Sequence, residues 1–307
     1  MRFLFISKII MKLITSSYQN GNGALSLINV DLEKKASEIL SKLDLNEPSF
    51  VSVNNHLIFT YTKYPLKLNV LTIVANKFVL IDEIDVPLET LTHLAYDDKK
   101  HILFGASYKD GAILKVEFKN ALFTGLKVVK TGGKCHCVTK LKDSILITNI
   151  EYDKLIKYDY DLKEIGSIIL DTNMGPRHTI IDGNSLYTVT EYSNELLKIN
   201  DGKIISKVKT ITPNTQSNCA TLFKDDYIYV SNRGEETISI FDGNLKFIKA
   251  YPTYGLHSRH MVLSKNKKYI ISFNKNSNDV TFIDKENGTL KYKLDMDKVS
   301  SGDEYMY

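Results

Sequence analysis

The chain has 307 residues, a formal net charge of +4, 43% hydrophobic residues, 18 Tyr and 13 Phe, which is ample apolar material for a packed core. Lysines and carboxylates are interspersed rather than blocked, so nucleic acid is not expected as a partner. No run approaches the ~20 apolar residues that span a bilayer, so no membrane is expected either.

The opening stretch, Met1-Arg-Phe-Leu-Phe-Ile-Ser-Lys-Ile-Ile10, is apolar but broken by Lys8 and followed by Lys12. It lacks a long hydrophobic region and a small-residue cleavage site, which argues against a signal peptide. Next come a strand, a turn and a strand: Lys12-Leu-Ile-Thr-Ser-Ser-Tyr18, Gly21-Asn-Gly23 and Ala24-Leu-Ser-Leu-Ile-Asn-Val30. Leu57-Ile-Phe-Thr-Tyr61 and Leu68-Asn-Val-Leu-Thr-Ile-Val74 repeat that pattern.

From there a short polar phrase recurs between strand-like runs. It reads Ser107-Tyr-Lys-Asp-Gly-Ala-Ile113, Asn149-Ile-Glu-Tyr-Asp-Lys-Leu155, Thr190-Glu-Tyr-Ser-Asn-Glu-Leu196, Asn232-Arg-Gly-Glu-Glu-Thr-Ile238 and Asn274-Lys-Asn-Ser-Asn-Asp-Val280. The starts lie 42, 41, 42 and 42 residues apart. A period near 42 built from hairpins predicts propeller blades, which must stack on neighbours to bury their faces. Counting the two upstream copies gives seven units of about 44 residues, within the range of roughly 40–50 for such repeats. The expected fold is therefore all-β, a seven-bladed β-propeller with four-stranded antiparallel blades around a central channel.

A further strand precedes most units, as in Glu47-Pro-Ser-Phe-Val-Ser-Val53, Gly175-Pro-Arg-His-Thr-Ile-Ile181 and Gly255-Leu-His-Ser-Arg-His-Met-Val-Leu263. These are expected to line the channel. The first unit has none directly ahead of it unless residues 1–10 supply one; Asp303-Glu-Tyr-Met-Tyr307 is the preferred alternative, returning to complete it and remove open sheet edges.

The start of each innermost strand and the turn after each second strand meet around one mouth of such a channel. His136, Arg177, His178, Arg259 and His260 occupy strand starts, and Tyr108, Glu191, Arg233 and Lys275 occupy turns. A single arginine at a turn is most often a solvated rim residue, and a single histidine at a strand start a structural one. Several at equivalent repeat positions point to a cationic funnel containing His and Glu, suited to a small anionic ligand. Cys135-His136-Cys137 lacks the Cys-x2-4-Cys spacing and second ligand pair of a zinc site, so no metal is expected. Adjacent strand residues face opposite ways, so neither cysteine is placed to be activated by His136. Cys137 is expected between blades. An odd count of three cysteines, with Cys219, fits reduced thiols in a cytoplasmic protein. Gly21-Asn-Gly23 is a hairpin turn, not a phosphate loop, since no Lys-Ser/Thr follows.

Over Met11 to Leu290 the sequence resembles the lactonase family of seven-bladed propellers, which includes the cycloisomerase-type 6-phosphogluconolactonases and carboxy-cis,cis-muconate cyclases. The motifs are Met11-Lys-Leu-Ile-Thr-Ser-Ser-Tyr18, Pro48-Ser-Phe50, Thr92-His-Leu-Ala95 with Ala106-Ser-Tyr108, Cys135-His-Cys-Val138, Gly175-Pro-Arg-His178, Thr190-Glu191 and Tyr229-Val-Ser-Asn-Arg-Gly234. The resemblance implies one domain over 11–307, with residues 1–10 an extension or a misassigned start. It implies hydrolysis of 6-phosphogluconolactone without cofactor or metal, by His136, Arg177, Glu191 and Arg233. Tyr108, Lys134, His178, Arg259 and Lys275 would contact the sugar-lactone substrate. Either His136 or Glu191 could serve as general base, and the arginines would stabilise an oxyanion or hold a phosphate. Two places depart from the family pattern: Lys134 replaces a frequent second histidine, and Ser217-Asn-Cys-Ala220 replaces Ser-Glu-Ile-His. A non-catalytic binding scaffold, or an enzyme for another carboxylated lactone, are the competing readings.

Overall fold

Alternation along a strand sends neighbouring side chains to opposite faces, and here both faces are apolar. Leu103 and Leu114 pack against one neighbouring sheet, while Phe104 and Ile113, one residue away on the same strands, pack against the other. Sheets of this kind need a partner on each side, and a ring supplies two to every member.

The structure, a computed structural model, describes residues 10–19, 21–212 and 218–306. Its 28 strands, β1 (Ile10–Gln19) to β28 (Val299–Tyr305), form seven four-stranded antiparallel sheets. No helix occurs among the described residues. Blade 1 joins β28 to β1, β2 (Asn22–Asp31) and β3 (Ala36–Asp44); blades 2 to 7 span 52–85, 93–130, 135–169, 176–209, 218–252 and 258–295. Seven buried apolar clusters fill the seven junctions between neighbouring blades. The sequence-predicted seven-bladed propeller is thus the observed architecture. The expected extension at 1–10 lies outside the described residues apart from Ile10, which opens β1.

The C-terminal strand closes the ring. Ser301 stands opposite Ser16 and Tyr305 opposite Lys12. The Ser16 and Ser301 hydroxyls are 2.8 Å apart, and Ser301 Oγ also accepts the Val51 N–H of blade 2 at 3.0 Å.

Two local features shape the channel. The innermost strands of blades 4 to 7 shift register near their starts, between Cys135 and Val138, Pro176 and His178, Cys219 and Leu222, and Ser258 and His260. A bulge re-aims the side chains it contains, so the alternation expected from an ideal strand fails here. In blade 2 the expected strand over 47–53 shrinks to β4 (Ser52–Asn54). Glu47 is left-handed (φ 48°) and Pro48 has no N–H to give a ladder, so the chain turns and Phe50 reaches His93 and His260 at ring distances of 4.6 and 5.7 Å.

Gly302 of β28 has no space for a side chain, since a Cβ would lie 2.4 Å from Phe273 and 2.5 Å from the Ile14 carbonyl. Gly302→Ala is therefore expected to destabilise the fold by about 1–3 kcal/mol, read by denaturant unfolding. An unchanged midpoint would mean that the closing strand is not packed in this way.

Candidate active site

The recurring phrase divides into a structural position and a chemical one. Its first residue is buried and ties the turn together. Asn149 Nδ2 donates to the Gly132 carbonyl at 2.9 Å and its Oδ1 accepts the Lys134 N–H at 3.1 Å, while Asn232 Nδ2 donates to the Thr210 carbonyl at 3.1 Å. The second residue stands at the mouth. By register with the following strands, Ser17, Thr62 and Ser107 are equivalent, so the second position reads Tyr18, Lys63, Tyr108, Ile150, Glu191, Arg233 and Lys275 around blades 1 to 7. Tyr18 and Lys63 were not among the sequence-predicted site residues.

Glu191 links two arginines. Its Oε2 is 3.0 Å from Arg177 Nε and its Oε1 is 3.0 Å from Arg233 Nη2. The guanidiniums are anchored on blade 6: Arg177 Nη1 donates to the Ala220 carbonyl, and Arg233 Nη2 to the Cys219 carbonyl at 3.3 Å. Ala220 lies in the bulge of the strand Asn218–Lys224, and Cys219, opposite Asn232, stands at its edge. Burial alone would raise the Glu191 carboxyl, but the Arg177 and Arg233 charges outweigh it and hold the group below its ordinary 4.5. Burial and the neighbouring Arg233 weaken the proton affinity of Arg177, with Glu191 opposing them; a guanidinium stays charged at neutral pH in this setting. The group is one carboxylate between two fixed cations.

Beside it lies a column of histidines. His136 and His178 ring centres are 5.0 Å apart, and His178 and His93 are 5.5 Å apart. Tyr108 meets His136 edge-on at 6.3 Å, and the Lys134 ammonium lies 5.6 Å from the Tyr108 ring. Burial, reinforced by Arg177, lowers His136 and His178 well below 6.5 and His93 to about 4. Burial, with His93 and Arg177, lowers His260 to about 3. His136 Nδ1 is buried with no hydrogen-bond partner among the described residues; in the tautomer protonated on Nε2 its lone pair faces no competitor for a ligand.

The cysteines divide as the bulges dictate. Cys135 and Cys219 pack between blades. Cys137, expected between blades, instead brings its sulfur into a group with His93 and His178, their ligand atoms within 4.8 Å of one another. This group fits a cation poorly. Burial pushes the Cys137 thiol up to about 11, Arg177 adds positive charge at both imidazoles, and His93 Nδ1 accepts the Val138 N–H at 3.4 Å.

Of the sequence-predicted residues, Arg177, Glu191 and Arg233 are in direct contact; His136, His178, Tyr108 and Lys134 form a second run through ring and cation contacts, with the charge of Arg177 acting on both imidazoles. Arg259 and Lys275 belong to a different group, around Tyr18. His93 and Phe50 were missed as channel residues, although both fall in the quoted blade motifs.

Four imidazoles kept neutral inside the fold make acid a specific denaturant. Unfolded, each binds a proton near pH 6.5; folded, each binds one only at lower pH. Their stabilisation is complete above about 6.5 and is lost as the pH falls towards 4, by about 1.4 kcal/mol per pH unit for each proton taken up. Calorimetric unfolding at pH 5 in buffers of different ionisation enthalpy should show uptake of several protons, reduced by about one in His178→Phe; no reduction would place His178 in water.

A profile described as "Lactonase, 7-bladed beta-propeller" matches residues 12–302. The chain is 24% identical to a 6-phosphogluconolactonase of Bacillus subtilis, over 89% of this chain and 90% of that one. It superposes on a Lactobacillus plantarum protein with a TM-score of 0.87 at 17% identity, covering 97% and 100% of the two chains. The periplasmic gluconolactonase of Pseudomonas aeruginosa gives 0.85 at 15% identity, covering 97% and 99%. The chain belongs to the lactonase family of seven-bladed β-propellers.

Proposed function

We propose that the protein is a hydrolase of lactone esters and that its substrate is 6-phospho-D-glucono-1,5-lactone, opened to 6-phosphogluconate. The observation behind this reading is the pairing of Arg177 and Arg233 on one carboxylate beside a buried imidazole with a free Nδ1. Family membership and the name of the B. subtilis relative support the lactone, and the cationic mouth suits an anionic one.

In this scheme water attacks the C1 carbonyl while His136 Nδ1 takes its proton. The carbonyl electrons move onto oxygen, where Arg177 and Arg233 offer fixed N–H donors and charge. Collapse of that oxyanion breaks the bond to the ring oxygen, which leaves as a hydroxyl after receiving the proton from His136. Glu191 fixes the two guanidiniums. With both its oxygens already paired to guanidiniums, while His136 Nδ1 has no partner among the described residues, it is the poorer base of the two candidates.

The test is hydrolysis of freshly generated 6-phosphogluconolactone, corrected for spontaneous opening. Arg177→Ala and Arg233→Ala should each lose about 10²–10³ in kcat, the effect of removing one oxyanion donor. Absence of any wild-type rate above background would end this reading and leave the two competing ones, a binding scaffold or an enzyme for another carboxylated lactone. The pH profile is a separate check. A base whose folded pKa lies well below 6.5 is already deprotonated throughout the neutral range, so kcat, which unlike kcat/KM does not carry the free substrate phosphate's own ionisation near about pH 6, should show no fall centred on 6.5. A fall centred near 6.5 would exclude His136 as described.

A further inference from the structure

The second position of the phrase has two chemical poles. Glu191 and Arg233 form one on blades 5 and 6; Lys275, Tyr18 and Lys63 form the other on the consecutive blades 7, 1 and 2. At the second pole three cations converge on one phenol. The Lys275 ammonium lies 3.9 Å from the centre of the Tyr18 ring, the Arg259 guanidinium 5.3 Å and the Lys63 ammonium 5.5 Å, and Arg259 Nη1 also donates to the Tyr18 hydroxyl.

Only one carboxylate answers them. Glu47 pairs with Lys63 at 3.1 Å, both side chains little exposed, and accepts the Gly21 N–H at 2.7 Å. Among the described residues neither Arg259 nor Lys275 has a carboxylate within ion-pairing distance. Three positive charges against one negative leave two unneutralised, a repulsive arrangement that an incoming dianion would relieve. The local field already favours negative charge: burial raises the Tyr18 hydroxyl, yet Arg259, Lys275 and Lys63 together bring it below its usual 10.0.

The pole borders open space, and its field reaches the first. A cleft of about 1140 Å³ opens between blades 7, 1 and 2, with Tyr18 and Lys63 in its wall; Arg259 and Lys275 meet it through Tyr18 rather than lining it, and Asp44, Asp295 and Asp297 lie elsewhere in its lining. His257 is lowered to about 4 by burial and then by Arg233, Arg259, Lys275 and Arg177, so one imidazole feels the cations of both poles.

We propose that Tyr18, Lys63, Arg259 and Lys275 form the receptor for a phosphate monoester at the end of the substrate remote from the lactone carbonyl. The assignment rests on the lactonase reading for the identity of the substrate, and on the charge arrangement for the dianion. Arg259 supplies a forked donor, the two lysines point charges and Tyr18 a hydroxyl, a set that matches the several oxygens of a phosphate. These are positioning residues: they set which lactone binds, and Arg177, Arg233 and His136 act on it.

The experiment compares kcat/KM for 6-phosphogluconolactone and for unphosphorylated glucono-1,5-lactone in wild type, Lys275→Gln, Lys63→Gln and Lys275→Arg, alongside calorimetric titration with inorganic phosphate. Wild type should prefer the phosphorylated lactone. Each Gln variant should cut that preference at least tenfold, chiefly through KM, and weaken phosphate binding tenfold or more, while Lys275→Arg stays within about threefold of wild type. A preference unchanged within twofold in both Gln variants, with melting temperatures intact, overturns the receptor. If wild type opens neither lactone, the catalytic reading fails by itself, and the titration then decides: loss of phosphate binding in Lys275→Gln upholds an anion receptor, and undiminished binding removes it.

Discussion

A four-stranded sheet with two apolar faces cannot persist in water unless both are covered, and closure of the ring covers them for all seven blades at once. The strand Val299–Tyr305, pairing with the first strand of the chain, turns seven such sheets into a structure without an uncovered terminal blade. Every functional side chain inherits its position from that closure. Glu191 and Arg233 lie on adjacent blades, and their 3.0 Å contact exists only because Val189 and Leu196 of one pack on Cys219, Val230 and Phe241 of the next. The phrase separates the two tasks within consecutive residues. Asn149, Thr190, Asn232 and Asn274 are buried and hold the turns, leaving the next residue free to change from isoleucine to glutamate, arginine or lysine without disturbing the fold. Architecture and chemistry can therefore vary independently, which is why propellers host many activities.

The mouth carries more positive charge than its own carboxylates neutralise. Arg177 and Arg233 share Glu191, and the remaining demand is met partly by backbone dipoles, the Cys219 and Ala220 carbonyls. This gives a physical reading of the departure at Ala220. The contact made there is through the backbone carbonyl, which any residue supplies. Excess charge of this kind costs the free protein some stability, which the anion of the proposed reaction would offset.

Much of this was legible in the sequence. A hairpin period of 41–42 fixes the blade, and register within the period places Glu191, Arg233 and Lys275 at one mouth. The first two blades escaped the same register because Tyr18, Lys63 and Tyr108 are 45 residues apart and the first turn contains Gly21-Asn-Gly23 in place of a compact phrase. Two other failures share a cause. Period-two alternation placed Cys137 between blades and kept 47–53 as a strand; the bulge at Cys135–Val138 and the left-handed Glu47 each break that alternation. Bulges depend on the backbone of neighbouring blades, as where Thr148 Oγ1 accepts the Cys137 N–H at 2.9 Å and donates to the Arg177 carbonyl of blade 5 at 2.8 Å. A single strand's sequence does not contain that information.

Burial lowers the proton affinity of His136 in the free protein, and the arginines that would stabilise an oxyanion lower it further. In the proposed reaction these effects do not simply oppose each other. As water attacks, negative charge grows on the carbonyl oxygen between the guanidiniums and cancels part of their field at the imidazole. The proton affinity of His136 then rises along the reaction coordinate, most where the oxyanion is fully formed. An interaction absent from the ground state and present in the transition state is the kind that accelerates a reaction. Glu191 lacks that property, because its charge is already committed to both arginines before substrate enters. A neutral imidazole beside two fixed cations is thus better matched to a step that creates an anion than the carboxylate that holds them.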